Sequence, residues 1–392
     1  MTAHPPTAAV WPGSKFEATV DFDMLSDLKQ RLERTRFPAE QAGRDWMTGT
    51  SLNYAKRLRD YWLNQFDWPQ WIKRFNSFEQ RLIEIEGLTV HVIVERGSGD
   101  APLPLLMTNG WPGSFVEFID IIDRLAHPER HGGRKEDSFT VIIPSLPGYG
   151  FSPAPKAPVS PHTIAECWSK LVCEVFGFDR YVAYGSDWGS IVTSKLAIDF
   201  PDRLRGVLLT SPGQVPYMAA DAAPLSAEEL DWRERAQRAM APEIGYQILQ
   251  GTKPQSLAFG HTDSPLALAA WIAEKHHGWS TAPGSEDDPP FSMDVLIANT
   301  MLYWINGALA PMWLYLFLAD SSKPAPKPGK ASVPASFLFS PHDLMPPPPK
   351  AWLDRTFDVA RYTVTPTGGH FPGLDNPEAL ITELIECFGA CR

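Results

Sequence analysis

The chain of 392 residues holds only four cysteines, Cys167, Cys173, Cys387 and Cys391. They show neither paired metal spacing nor a disulfide framework, so free thiols in a reducing, cytoplasmic setting are expected. Positive charge is also scarce: 35 Lys and Arg against 46 Asp and Glu leave a formal charge of −11, with no basic run to follow a phosphate backbone. A nucleic-acid partner is therefore not expected. Long apolar runs are missing too. The longest, Trp304 to Ala319, is interrupted by Asn306 and Pro311 and falls short of the roughly 20 residues a membrane span needs. It reads instead as a buried helix. Met1 to Gly13 has no basic and apolar leader pattern, so no signal peptide is expected. Ten histidines, including the pair His276-His277, stand at no ligand spacing; no metal and no cofactor are expected.

What is present is centred on Tyr184-Gly185-Ser186-Asp187-Trp188-Gly189-Ser190. Upstream, Arg180 to Ala183 reads as a short buried strand; downstream, Ile191 to Phe200 reads as a helix ended by Pro201. A strand that turns at once into a helix around G-x-Nu-x-G is the nucleophile elbow of an α/β-hydrolase. The residues two before and two after the nucleophile must be nearly free of side chain. Gly185 and Gly189 meet that demand only for Asp187, because Ser186 would be flanked by Tyr184 and Trp188. The elbow presents a carboxylate.

The rest of the chain fits an α/β-hydrolase fold, with a mostly parallel central sheet flanked by helices. Residues 1–78 read as an amino-terminal helical extension, with residues 1 to about 15 a loose arm and helices from Phe22, Leu52 and Trp68. Residues 79–212 form the first part of the core. There Leu82 to Glu86 and Thr89 to Val94 make a hairpin, and strands Leu103-Met107, Phe139-Ile143 and Gly206-Thr210 alternate with helices, one of them over Phe115 to Leu125. Residues 213–330 show helical periodicity and no strand, as expected of a cap, and 321–330 form a linker back. Residues 331–392 return to the core with strands Ala335-Phe339 and Val359-Val364 and a helix near Leu380 to Phe388.

A nucleophilic carboxylate attacks carbon and leaves an ester. Hydrolysing the ester takes water, a base and an orienter for that base, and in this fold they follow in the order nucleophile, acid, histidine. Asp343, just past strand 335–339, and His370, just past strand 359–364, stand where α/β sites gather. Asp354 and Asp358 compete with Asp343 for the orienting role. Backbone donors for the tetrahedral intermediate come in this fold from the residue after the nucleophile, Trp188, and from the first βα loop, at Trp111.

These residues resemble the microsomal-type epoxide hydrolase family. The resemblance rests on Leu25 to Pro38, Gly110 to Phe115, Ser145 to Ser152, Asp187-Trp188-Gly189, Thr252-Lys253-Pro254, Asp263-Ser264-Pro265, Leu268 to Ile272 and Gly368 to Phe371, a set that covers nearly the whole chain from about residue 15. It implies that Asp187 opens an epoxide while two cap tyrosines protonate its oxygen, and that His370, oriented by Asp343, activates the hydrolytic water to release a vicinal diol. Of the cap tyrosines Tyr217, Tyr246, Tyr303 and Tyr315, the resemblance selects Tyr246 and Tyr315, with Tyr303 as the fallback for the second. Where the family loop begins with His, this chain has Asn109, which can still hydrogen-bond backbone to hold the turn.

The implied partner is a small epoxide, apolar or aromatic in view of Trp271, Trp279, Trp304 and Trp313 in the cap; a homodimer is compatible with the sequence. Two other classes remain open. A haloalkane dehalogenase would use Asp, His and a halide-binding indole at Trp188 without a tyrosine pair. An idle binding module or a non-hydrolytic ring-opening enzyme would not need Asp187, Asp343 and His370 together.

Overall fold

The computed structural model describes residues 11–39, 46–211, 216–218, 222–282, 285, 288–319 and 329–392. Most of the linker expected over 321–330 and the expected start of the cap at 213–215 lie outside the described residues. Three helices lie in the amino-terminal part, after a short strand: α1 (Phe22–Glu33), α2 (Leu52–Asn64) and α3 (Trp68–Phe75). Each begins at a capping side chain. Asp21, Ser51 and Asp67 accept from the amides of Met24, Tyr54 and Gln70 and satisfy donors that a helix start leaves open.

The sheet follows: β1 (Ser14–Lys15), β2 (Glu79–Ile85), β3 (Leu88–Glu95), β4 (Leu103–Thr108), β5 (Phe139–Pro144), β6 (Tyr181–Gly185), β7 (Leu204–Leu209), β8 (Pro334–Phe339) and β9 (Asp358–Val364). The spatial order is β1-β2-β3-β5-β4-β6-β7-β8-β9. The pairs β1–β2, β2–β3 and β3–β5 are antiparallel, and all pairs from β5 to β9 are parallel. Strands β5 and β6 are buried at every residue, which explains their unbroken apolar character: helices cover both faces. Those helices include α4 (Ile122–Ala126), α5 (Pro161–Lys170) and α6 (Trp188–Asp199). Because β5 lies on one side of β4 and β6 on the other, the loops leaving β4 and β6 part at a topological switch point, the crevice where ligands bind in such sheets.

Between β7 and β8 the described residues form helices and no strand: α7 (Ala227–Met240), α8 (Gly245–Thr252), α9 (Pro254–Asp263), α10 (Pro265–Gly278), α11 (Met293–Asn306) and α12 (Trp313–Ala319). Helices α13 (Lys350–Asp354), α14 (Pro372–Asp375) and α15 (Pro377–Phe388) complete the chain. Ion pairs Arg31–Asp263 (2.8 Å) and Arg57–Asp288 (2.7 Å), with the Tyr61 hydroxyl donating to Asp294 (2.6 Å), tie α1 and α2 to the helical insertion.

Three local expectations need correction. The opening arm is not wholly loose: Ser14 and Lys15 pair with Leu82 and Arg81, and Trp11 is buried against Phe176 and Phe178. The leader thus adds an edge strand to the sheet. The helix expected over Phe115 to Leu125 is broken into a 3-10 turn at Phe115–Phe118 and a short α4. The apolar stretch from Trp304 is not one helix, since α11 ends at Gly307 with φ of 90°, a conformation glycine adopts freely. Among the described residues no single helix is long and apolar enough to cross a membrane.

Candidate active site

The turn between β6 and α6 fixes the site. Asp187 has φ 51° and ψ −121°, a strained conformation for a residue with a side chain. A Cβ on Gly185 would lie 2.2 Å from the Gly189 carbonyl oxygen, and one on Gly189 would lie 1.8 Å from that of Thr108. No other residue fits either position. The strain is held by this packing and by the following helix, and it lifts the Asp187 carboxylate out of the sheet into the crevice.

The loop after β4 meets it there. The Trp111 amide donates to Asp187 Oδ1 at 2.8 Å. A Cβ on Gly110 would stand 2.1 Å from that same oxygen and 2.5 Å from the Trp188 amide nitrogen, so only a bare glycine lets the loop lie this close to the elbow. Asn109, where a histidine was expected by resemblance, donates from Nδ2 to the Gly110 carbonyl at 3.1 Å and holds the turn locally. Helix α11 grips the other end of the loop: Asn299 Nδ2 donates to the Pro112 carbonyl at 2.6 Å and the Tyr303 hydroxyl to that of Gly113 at 2.7 Å.

His370 enters from the loop after β9. Its Nδ1 lies 2.6 Å from Asp343 Oδ1, and its Nε2 lies 3.4 Å from Asp187 Oδ2 with no other partner among the described residues. Its backbone is fixed by its own amide donating to the Trp279 carbonyl at 2.7 Å. Asp375 accepts from the Gly369 amide at 3.0 Å and from Ser280 at 3.1 Å, bracing the same loop. Of the rival carboxylates, Asp354 pairs with Lys350 at 2.7 Å and Asp358 begins β9 at an exposed position; neither is the carboxylate on His370.

Tyr246 and Tyr315 face this group from α8 and α12. Their rings cross at 82° with centroids 5.6 Å apart; Tyr246 stacks on Trp111 at 5.0 Å and Tyr315 packs edge-on to Trp188 at 4.9 Å. The Tyr315 hydroxyl is buried without a partner among the described residues. Tyr303 is already spent on Gly113, and Tyr217 lies on the chain beyond β7 with its amide on Thr356. Asp187, Trp188, Tyr246, Tyr315, Asp343 and His370 line one cavity of about 240 Å³, completed by Ile191, Met240, Leu318, Leu344 and Met345 on its apolar side and by Ser211 and Gln247. The tryptophans expected around it are placed differently. Trp271, Trp304 and Trp313 do not line it, and Trp279 packs behind His370 at 4.9 Å. Tryptophan content does not fix where an indole points, and the apolar wall is aliphatic and sulfur-bearing.

Charge in the site is set by burial and by carboxylates. Burial disfavours an imidazolium at His370, but Asp343 and Asp187 outweigh it and hold the ring well above its ordinary pKa. Burial, with Asp187 adding to it, pushes the phenols of Tyr246 and Tyr315 upward, so both remain hydrogen-bond donors at neutral pH. Glu117, which sequence reasoning passed over, is fully enclosed behind the elbow; burial pushes its carboxyl up to about 8, and the Ser186 hydroxyl donates to it at 3.5 Å. No group of three or more potential ligands for a metal occurs among the described residues.

Residues 13–118 match the family described as epoxide hydrolase N terminus, and residues 104–377 match the alpha/beta hydrolase fold family. A Stigmatella aurantiaca protein is 36% identical over 96% of this chain and 85% of its own length. Epoxide hydrolase 1 of Oryctolagus cuniculus is 30% identical over 95% of this chain and 88% of its own. Among solved structures, Aspergillus niger epoxide hydrolase superposes with a TM-score of 0.84 at 28% identity, covering 99% of both chains.

Proposed function

The chain belongs to the microsomal-type epoxide hydrolase family, and on that premise we propose that it converts an epoxide to a vicinal diol through an ester on Asp187. One observation carries the mechanism. The two oxygens of Asp187 are distinguished, Oδ1 by the Trp111 amide and Oδ2 by His370 Nε2, and the carboxylate shares its cavity with a pair of buried phenols. Asp187 Oδ2 attacks a ring carbon, the C–O bond breaks, and its electron pair goes to the epoxide oxygen, which takes a proton from Tyr246 or Tyr315. The Oδ1 left on the ester is its carbonyl oxygen.

His370 then removes a proton from water, whose oxygen adds to the Asp187 carboxyl carbon. Negative charge builds on Oδ1, where the Trp111 and Trp188 amides stabilise it. Collapse expels the old Oδ2 as the diol's alkoxide, which takes the proton from His370, and the proton of the new Asp187 carboxyl group returns to the phenolate. Forming the ester also cancels the Asp187 charge, one of the two that hold a proton on His370. The base is thereby freed at the stage that needs it. The apolar wall of the cavity and the rings of Trp188, Tyr246 and Tyr315 favour an apolar or aryl epoxide.

The test is His370→Gln incubated with styrene oxide. Intact-mass spectrometry should show one covalent adduct, mapped to the Asp187 peptide and persisting for hours. A folded variant that turns the epoxide over at wild-type speed, or that carries the adduct on another residue, would contradict the mechanism.

A further inference from the structure

Lys275 on α10 is only 4% exposed, and buried lysines are rare unless paired. Its Nζ lies 2.6 Å from Glu274 Oε2 and 3.8 Å from Glu243 Oε2. It also stands over three aromatic rings, 5.0 Å from the centroid of Tyr246, 5.7 Å from Trp271 and 5.8 Å from Trp279. Glu243 accepts the Trp279 indole N–H at 3.1 Å, so the cluster reaches from the cap to the ring packed on His370. Neither ester formation nor its hydrolysis, as derived for Asp187 and His370, makes use of it.

A cation over an aromatic face is attracted by the ring's negative quadrupole. The attraction grows when the ring itself becomes an anion, as a phenol does on giving up its proton. An interaction stronger in the transition state than in the ground state accelerates the step. We propose that Lys275 is a positioning residue for ring opening: its ammonium, held over Tyr246, stabilises the negative charge that ring acquires as the phenol protonates the epoxide oxygen. This rests on Tyr246 acting as an acid.

The other groups facing Tyr246 work in the opposite direction. Asp187, Glu243 and Asp343 all favour the neutral phenol, while the neighbouring Tyr315 eases its ionisation. On α10 itself, His276 is held neutral by burial, which lowers it to about 4, and Glu274 is pushed upward by burial. Glu274, at 2.6 Å, fixes the ammonium in place, while Glu243, at 3.8 Å, dilutes its field.

The experiment is rapid-quench single turnover of styrene oxide with excess enzyme, following the Asp187 ester by mass spectrometry. Lys275→Met should slow ester formation about tenfold and leave ester hydrolysis within about twofold, with Lys275→Arg restoring most of the loss. Glu243→Gln keeps an acceptor for Trp279 while removing an anion, and should speed ester formation. In a Tyr246→Phe background, Lys275→Met should have no further effect on that step. Equal slowing of both steps, or an undiminished effect in the Tyr246→Phe background, would make Lys275 merely structural. Wild-type ester formation in Tyr246→Phe alone would instead overturn the acid role. Should Lys275→Met fail to fold, an unchanged or slower Glu243→Gln overturns the proposal.

Discussion

A single methyl group separates the elbow from collapse. With the Thr108 carbonyl oxygen 1.8 Å from where a Gly189 Cβ would sit, Gly189→Ala should cost about 3 kcal/mol or more in urea unfolding; a loss below about 1 kcal/mol would mean that the turn can yield. That constraint is local in sequence, which is why the glycine spacing alone pointed to Asp187 in place of Ser186. Asp343 and His370 were legible for a similar reason, since strand ends announce themselves in the hydrophobic pattern. Glu117 was not, because nothing in Phe115-Val116-Glu117-Phe118 says that its side chain is enclosed by the distant Gly373 and the elbow. Its folded pKa, about 8, lies above an ordinary carboxyl value. Between roughly pH 4.5 and 8 the folded state therefore keeps a proton that the unfolded state has lost, and stability falls as pH rises through that window. Glu117→Gln should remove that slope, raising Tm at pH 8 by more than at pH 5. A Tm gain equal at both pH values would contradict the burial argument. For His370, Asp187→Asn should lower the imidazole pKa in an NMR titration, because one of the two carboxylates that raise it is gone; an unchanged value would remove the electrostatic link between the two steps.

Helix α11 shows how an element of the cap serves the core. Its Asn299 and Tyr303 hold the carbonyls of Pro112 and Gly113, and so set where the Trp111 amide points. Tyr303→Phe loses one hydrogen bond, worth about 1 kcal/mol, and should slow both ester formation and hydrolysis through a looser loop. Tyr246→Phe and Tyr315→Phe should slow ester formation by roughly a hundredfold and leave hydrolysis of a preformed ester nearly intact. Single-turnover kinetics separates these patterns; a step-specific defect in Tyr303→Phe would shift the acid role toward it. From sequence, four tyrosines in the cap were equivalent as aromatics, and their difference is a matter of which hydroxyl already has a partner. Helix breaks were equally hidden. The apolar content of residues 304–319 concealed the turn at Gly307, and the aromatic run at 115–118 concealed a 3-10 turn set by Ser114, whose hydroxyl accepts from the Val116 amide.

At the scale of the molecule, leader, cap and core are joined by few but well-placed charges. Arg355, beside α13, pairs with the buried Glu229 of α7 at 2.8 Å and donates to the carbonyls of Ala223 and Pro224. The Arg355 hydrogen bond holds the Glu229 carboxyl down at about 2. A depressed carboxyl lends stability that is present above its unfolded value and lost as pH falls toward the folded one, so this contribution should fade from about pH 4.5 to about 2. Arg355→Met strands the Glu229 charge and should cost about 3 kcal/mol at pH 7, less at pH 3, by denaturant unfolding; an equal loss at both would show that the pair contributes no charge-dependent stability. Alternation of strands and helices made the sheet and the helical insertion readable from sequence. The docking of leader on cap was not, because it depends on pairs more than 200 residues apart, such as Arg31–Asp263.

The covalent ester on Asp187 is tested most directly by one turnover in water enriched in heavy oxygen, with enzyme in excess over styrene oxide. Mass spectrometry of the diol and of the Asp187 peptide should find the label in Asp187 and a first-turnover diol almost free of it, since the diol takes its new oxygen from Oδ2. A labelled diol with an unlabelled Asp187 would mean that water attacks the epoxide directly and that Asp187 is not the nucleophile.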